Sequence, residues 1–257
     1  MKFIQDIIKI VQEYGVSYLN GAGKTLLLAL IGTVIGCIIG FAVGTVQATP
    51  MPKGKAQKGL MYIVRAILRG YVELFRGTPM IVQAVFIHYG AFYLGLKPSV
   101  WLSSIIVVSI NTGAYMAETV RGGIMSIDQG QFEGAKAIGM THTQTMINVI
   151  LPQALKNIIP QIGNNFIINI KDTAVMSIIS FMDLFSIHKS VVGSNYLYFP
   201  SAVLTMAIYL TMTLVSSVLL RWWEDKMAGD ANYEIVNTKD TLAQTSGLYR
   251  AKKKEMK

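Results

Sequence analysis

A chain of 257 residues that is 52% hydrophobic and 14% charged, with positive mean hydropathy, is a polytopic membrane protein rather than one or two soluble domains. The formal charge of +9 is the basic excess that cytoplasmic loops of such proteins carry, and no nucleic-acid partner is expected from it. The single cysteine, Cys37, lies in an apolar run and excludes both an internal disulfide and a cysteine-based metal site.

Residues 2–16 set Phe3, Ile4, Ile7, Ile8, Ile10 and Val11 at helical spacing against Gln5, Asp6, Lys9, Gln12 and Glu13. That pattern predicts an amphipathic helix at the membrane interface. It lacks the short apolar core and cleavage site of a signal peptide and is expected to be retained. Gly21-Ala-Gly-Lys-Thr25 has Tyr18 where a phosphate loop needs its first glycine, and no strand precedes it, so it reads as the polar mouth of the first span. Thr25–Ala48 is that span, with Gly32, Gly36, Gly40 and Gly44 recurring every four residues as a ridge that another helix can approach closely.

Thr49–Lys58 carries Lys53, Lys55 and Lys58, which places it in the cytoplasm and the amino terminus outside. Residues 59–76 form a helix with Arg65, Arg69, Glu73 and Arg76 on one stripe. Three arginines at mid-bilayer would be expensive, so this stripe either sits at the cytoplasmic interface or lines a wet, protein-enclosed surface. Thr78 as N-cap and Pro79 at the first helical position start the second span, Pro79–Gly95, which is either separate from the preceding segment or one bent helix with it. This span carries Gln83, His88 and Tyr89. Leu96–Ser99 is an external turn, and Val100–Val120 is the third span, with Asn111, Thr112, Tyr115 and Glu118 on its later half. Glu118 and Arg121, three residues apart, can pair near the cytoplasmic exit.

Gly122–Met146 is then cytoplasmic and contains Gln131-Phe-Glu-Gly-Ala-Lys-Ala-Ile-Gly139, a polar helix too short to span. Asp128 is its N-cap, Gly139 the left-handed residue that stops it, and Thr141-His-Thr-Gln144 a capping box opening the next helix. Phe132, Ala135 and Gly139 fall near one face, an aromatic knob with small neighbours suited to a groove on another protein. Ile147–Ile170 is the fourth span, punctuated by Pro152 and Pro160 and carrying Asn164, Asn165 and Asn169. Ala174–Ile187 is too short for a span and is expected to be the fourth span's end plus an external re-entrant or lateral helix. Phe199–Leu220 is the fifth span, anchored by Arg221-Trp-Trp223. The expected organisation is an interfacial helix over 1–22, a transmembrane domain over 23–223 with a cytoplasmic loop at 128–152, and a polar cytoplasmic tail over 224–257.

Glu133-Gly-Ala135, Gly139 and Leu151-Pro152 resemble the EAA signature of permease subunits of bacterial ABC importers, with Gly134 for the first alanine and Val149 for isoleucine. Glu73-Leu-Phe-Arg-Gly-Thr-Pro-Met-Ile-Val-Gln83, Gly113-Ala-Tyr-Met-Ala-Glu-Thr-Val-Arg-Gly-Gly123 and Lys171-Asp-Thr173 are similar to the polar amino-acid branch of that family. The resemblance implies an all-α type I importer permease with about five transmembrane helices, set in the bacterial cytoplasmic membrane. It implies as partners a second permease copy or homologue, two cytoplasmic ATPase subunits and an extracellular or periplasmic substrate-binding protein. It implies no cofactor on this chain, ATP and Mg2+ being held by the ATPase, and a docking role for Phe132, Glu133, Gly134, Ala135 and Gly139.

Asn165 stands where many relatives carry a glutamate, and a neutral amide there would disfavour selection of a cationic substrate. Gln83, Asn111 and Asn165 either line the substrate path or serve as interhelical hydrogen-bond glue. Two other readings compete. A gradient-driven secondary transporter usually shows internal repeats, and none is visible. An intramembrane enzyme could be imagined from Glu118 with His88 or Asp183 with His188, but no nucleophile or metal constellation accompanies either pair.

Overall fold

A computed structural model describes residues 2–52 and 54–228. Every regular element among them is helical: α1 (Lys2–Ala48), α2 (Lys55–Gly77), α3 (Met80–Tyr93), α4 (Val100–Met125), α5 (Gln129–Ala137), α6 (His142–Thr145), α7 (Leu151–Asp172), α8 (Leu184–Asn195) and α9 (Tyr198–Ala228). The tail expected over 224–257 falls outside the described residues from 229 onward.

The first correction concerns α1, which is one helix of 47 residues with no break at residue 22. Its three early glycines do not interrupt it, because a helix-compatible glycine weakens a helix by only about 1 kcal/mol and tertiary packing outweighs that. At Gly21 the missing side chain admits α8: a Cβ there would stand 2.8 Å from Ile187 Cγ1 and 3.1 Å from Leu184 Cα. Ile10, Tyr18 and Ala22 bury themselves in a cluster with Leu184, Ile187, Val191 and Met212. Tyr18 Oη shares a 2.7 Å hydrogen bond with Ser201 Oγ of α9. Ile4, Ile8 and Val11 are exposed, so the early apolar stripe is only partly spent on this chain's own core.

Further along α1 the glycine ridge meets α4 backbone to backbone. Gly32 faces Val108, Gly36 faces Thr112, Gly40 faces Met116 and Gly44 faces Val120, so ridge and partner advance together by four residues. At the same level Asn169 of α7 ties three helices: its Nδ2 donates to Thr33 Oγ1 at 2.8 Å, and Thr112 Oγ1 donates to its Oδ1 at 3.2 Å. An amide and two hydroxyls buried together are satisfied by one another, which fixes the mutual register of α1, α4 and α7.

The α2–α3 junction departs from expectation in its chemistry. Thr78 is not the N-cap of α3; its hydroxyl donates back to Leu74 O at 2.8 Å and closes α2 instead. Gln83 reaches back from inside α3, and its Nε2 donates to Phe75 O and Thr78 O, both at 2.9 Å. Carbonyls orphaned at the end of α2 are thus satisfied without continuing the helix. A second irregularity sits before Pro152, where Met146–Ile150 is a π-turn. Leu151 N bonds Met146 O, five residues back, and the widened turn makes room for a ring that would otherwise meet the carbonyl four residues before it.

After α7 the chain tightens into a 3-10 turn over Thr173–Ile179 and reverses at Ser180, whose φ is 65°. Asp183 then caps α8, accepting from Ser186 N at 2.9 Å and Phe185 N at 3.2 Å. The apolar run expected as a re-entrant or lateral element is this turn plus α8, bent 52° from the preceding helix.

The expected count of about five spans is not met by single long helices alone. Among the described residues, α1, α4 and α9 are long and apolar enough to cross a bilayer, and the bent pair ending in α8 would make a fourth. α3, at 14 residues, extends about 21 Å against a hydrocarbon core of about 30 Å, so it crosses only together with the end of α2.

The ridge yields a stability prediction. A Cβ at Gly36 would lie 2.6 Å from Thr112 Cβ and 3.1 Å from Gly113 N, whereas one at Gly23 meets nothing within 4 Å. Gly36→Ala should cost about 1–3 kcal/mol and lower the melting temperature in detergent by several degrees, while Gly23→Ala should leave it unchanged or raise it slightly. Equal melting temperatures for the two variants would remove the ridge from the account.

Candidate functional site

Two features of the fold are candidate sites: the corner that follows α4 and a polar cavity that α4 lines. Asp128 Oδ1 accepts from Gly130 N at 2.6 Å and opens α5. Gly139, at φ 82°, closes it: Gly139 N donates to Lys136 O at 3.0 Å and Met140 N to Ala135 O at 3.1 Å, the paired bonds of a Schellman ending. Two residues on, Thr141 N donates to Gln144 Oε1 at 2.9 Å and Gln144 N to Thr141 Oγ1 at 3.3 Å, completing the expected capping box. Termination and re-initiation are therefore both locally determined, which makes the corner stiff.

Phe132 and Ala135 are turned differently from the expected outward knob. Ala135 is buried, and Phe132 is half-buried against the cluster of Met116, Val120 and Ile124 of α4 with Met146, Ile150, Ala154 and Ile158. The same periodicity that aligns an apolar face on a short helix cannot say whether that face meets its own chain or another's. Polar braces join in: Gln153 Nε2 donates to Gln131 Oε1, and Asn157 Nδ2 to Ser126 Oγ, each at 3.2 Å. Glu133, Gly134 and Gly139 face outward, together with Ile138, which is 79% exposed. Ile138 was missed in the sequence; its signal was a large apolar residue held beside a left-handed glycine.

The second feature is a polar cavity of about 470 Å³ between the α2–α3 junction, α4 and α7, lined by Arg76, Thr78, Asn111, Tyr115, Asn165 and Asp172 among others. Two of the three residues singled out for the path, Asn111 and Asn165, stand on its wall. Asn165 Nδ2 donates to Gln161 O of its own helix at 2.9 Å, and its Oδ1 has no partner among the described residues. Asn111 Nδ2 donates to Phe75 O at 3.1 Å and to Gln83 Oε1 at 3.0 Å. Gln83 is itself buried behind the wall, where its amide is spent on holding the junction.

Residues not assigned to the cavity from sequence set its electrostatics. The Arg76 guanidinium lies 5.5 Å from the centre of the Tyr115 ring and 3.9 Å from Glu118, which also accepts from Arg121. Asp172 has no ion pair among the described residues. The cavity therefore holds a cation steadied by an aromatic ring and a free carboxylate. The acid–base pairs considered from sequence are engaged elsewhere: His88 Nδ1 meets Ser103 Oγ at 2.8 Å, Asp183 is a helix cap, and His188 Nδ1 meets Ser201 Oγ at 2.7 Å. Nothing in either feature makes or breaks bonds; one can hold a small polar solute and the other can transmit a push.

Comparison with known proteins identifies the family. Residues 56–229 match the family described as binding-protein-dependent transport system inner membrane component. The putative glutamine transport system permease protein of Rickettsia typhi is 32% identical over 210 residues, covering 81% of this chain and 92% of that protein. The glutamine transport system permease protein of Escherichia coli K12 is 30% identical over 211 residues, with the same coverage of 81% and 92%. An amino acid ABC transporter solved with histidines superposes with a TM-score of 0.77 at 33% identity, over 86% of this chain and 98% of that one. A methionine ABC transporter in an inward-facing conformation shares the fold, with a TM-score of 0.63 at 20% identity over 81% and 93% of the two chains. This chain thus belongs to the family of binding-protein-dependent transport system inner membrane components, as a multi-pass permease subunit of an ABC importer and not an enzyme.

Proposed function

We propose that this chain forms half of the membrane path for a polar, uncharged amino acid and is driven by a cytoplasmic ATPase gripping the corner at residues 128–152. The observation that carries the reading is the cavity whose wall holds both Arg76 and Asp172 beside the amides of Asn111 and Asn165. An amino acid is a zwitterion: Arg76 suits its carboxylate through a planar fork of donors, Asp172 suits its ammonium, and two amides suit a neutral polar side chain. The names of the relatives make glutamine the first substrate to test.

The lysine-rich loop at residues 49–58 favours a cytoplasmic start for α2, hence an external amino terminus, a cytoplasmic end for α4 and a cytoplasmic carboxyl terminus in the inner membrane of a bacterium. On this reading Glu133, Gly134, Ile138 and Gly139 present the docking surface, while Phe132 and Ala135 root it in the core. A second permease copy or homologue completes the path, two ATPase subunits hold ATP and Mg2+, and an external binding protein delivers substrate. No cofactor belongs to this chain. ATP closure shifts the balance between inward-open and outward-open states by displacing the corner.

Reconstitution with the ATPase and binding protein tests both halves. Gly139→Ala forces a Cβ into the left-handed region at a cost of about 1–2 kcal/mol, so coupled uptake should fall roughly 5- to 30-fold. Gly23→Ala, whose Cβ meets nothing within 4 Å and which lies outside both sites, should leave uptake intact. Wild-type uptake by Gly139→Ala would contradict coupling through the corner. Arg76→Gln and Asp172→Asn should each reduce amino-acid uptake about 10-fold or more, the worth of a charged hydrogen bond of about 1.5–3 kcal/mol. Unchanged uptake in both would remove the cavity from the path.

A further inference from the structure

The first cavity does not end the polar surface. The stripe of α2 that brings Arg76 to it carries Glu73, Arg69 and Arg65 on its preceding turns, and the stripe of α4 that brings Asn111 and Tyr115 carries Glu118 and Arg121 on its following turns. Between these stripes lies a second cavity of about 410 Å³, lined by Gln47, Arg65, Arg69, Glu73, Glu118 and Arg121 with Val72 and Met125. From Asn111 to Met125 the two cavities extend along α4 for roughly 21 Å at 1.5 Å per residue.

Two observations distinguish this second space from a solvated face. Nε and Nη2 of Arg65 are shut off from solvent and have no hydrogen-bond partner among the described residues. A guanidinium cannot shed its charge, and leaving such donors unmet when buried costs several kcal/mol, a penalty that a turn of the Arg65 side chain toward an anion in the cavity it lines would relieve. Glu118 stands between the two spaces, accepting from Arg121 in the second and lying 3.9 Å from Arg76 in the first.

Resting on the reading that this chain passes an amino acid inward, we propose that the second cavity is a transient station for the substrate carboxylate, with Arg65 and Arg69 as its donors and Glu118 as the divider. A carboxylate leaving Arg76 finds Arg69 about 10.5 Å further along α2 and Arg65 about 6 Å beyond that, from the rise per residue. Glu73 and Glu118 offset the arginines, so the station is attractive enough to enter and weak enough to leave. The divider sits less than two turns from Met125, where α4 runs into the Asp128 corner, so displacement of the corner acts directly on the Glu118 pairs.

The test uses the reconstituted transporter with its ATPase and binding protein, and a radiolabelled amino-acid mixture. Arg65→Gln should lower the maximal uptake rate about 10-fold while changing the KM for loaded binding protein less than 2-fold, because delivery precedes the station; Arg65→Lys should recover part of the rate. In a Cys37→Ser background, Met125→Cys should react with a permeant thiol reagent at least 3-fold more slowly when the amino-acid mixture is present inside the vesicles, and Arg65→Gln should abolish that protection. ATP-driven uptake that is indifferent to Arg65→Gln, with no protection at Met125→Cys, overturns the station and leaves the transport reading standing. Wild-type vesicles of pure phosphatidylcholine that transport as slowly as Arg65→Gln, recovering when phosphatidylglycerol is added, would assign the cavity to a lipid phosphate and likewise overturn it. No ATP-driven uptake by the wild-type complex would remove the transport reading itself.

Discussion

The close approach of α1 and α4 through Gly32, Gly36, Gly40 and Gly44 is the contact on which the remaining structure depends. Inside a bilayer, helices gain little by hiding apolar surface from one another, because lipid is equally apolar. Association then rests on close packing and on internal hydrogen bonds. The ridge supplies the first and the Asn169–Thr33–Thr112 node the second. Together they fix one side of α4 so that its opposite stripe, from Asn111 through Tyr115 and Glu118 to Arg121, is left to face a polar space.

On the proposed reading, this placement makes α4 the element shared by transport and coupling. Its middle lines the solute cavity, its later turns carry the Glu118 ion pairs, and its end passes through Ser126 and Asp128 into the stiff corner. Ala135 is buried, and Phe132 packs against the cluster that Met116, Val120 and Ile124 of α4 form with Met146, Ile150, Ala154 and Ile158, so the corner meets its own chain chiefly through α6 and the π-turn. On the proposed reading, a push on the exposed side of α5 reaches α4 through that shared cluster. Because packed helices have discrete arrangements, a small displacement of this kind selects between states.

What was legible in the sequence was what is encoded locally. The Asp128 cap, the Gly139 ending and the Thr141–Gln144 box each involve residues within one or two turns of one another, and each forms as read. The glycine ridge was legible as a period, though not its partner. What escaped depends on distant neighbours. Continuity of α1 past residue 22 follows from α8 and α9 packing against Gly21 and Tyr18. Thr78 looked like an N-cap because its own sequence favours that role, but Gln83 satisfies the junction from within α3 and frees the hydroxyl to bond Leu74. The direction in which Phe132 faces was open for the same reason. Arg76 and Asp172 come from α2 and α7, and only the assembled fold places both on one cavity.

The central claim is that a separate ATPase grips the outward side of α5 from the cytoplasm. A photo-crosslinking amino acid placed at Ile138 in intact cells addresses it directly, with Leu94, 76% exposed in the turn between α3 and α4, as the comparison site. The account predicts an adduct with the ATP-binding subunit at Ile138 and none at Leu94. An adduct at Ile138 with an external protein, or the ATPase captured at Leu94 instead, would contradict it.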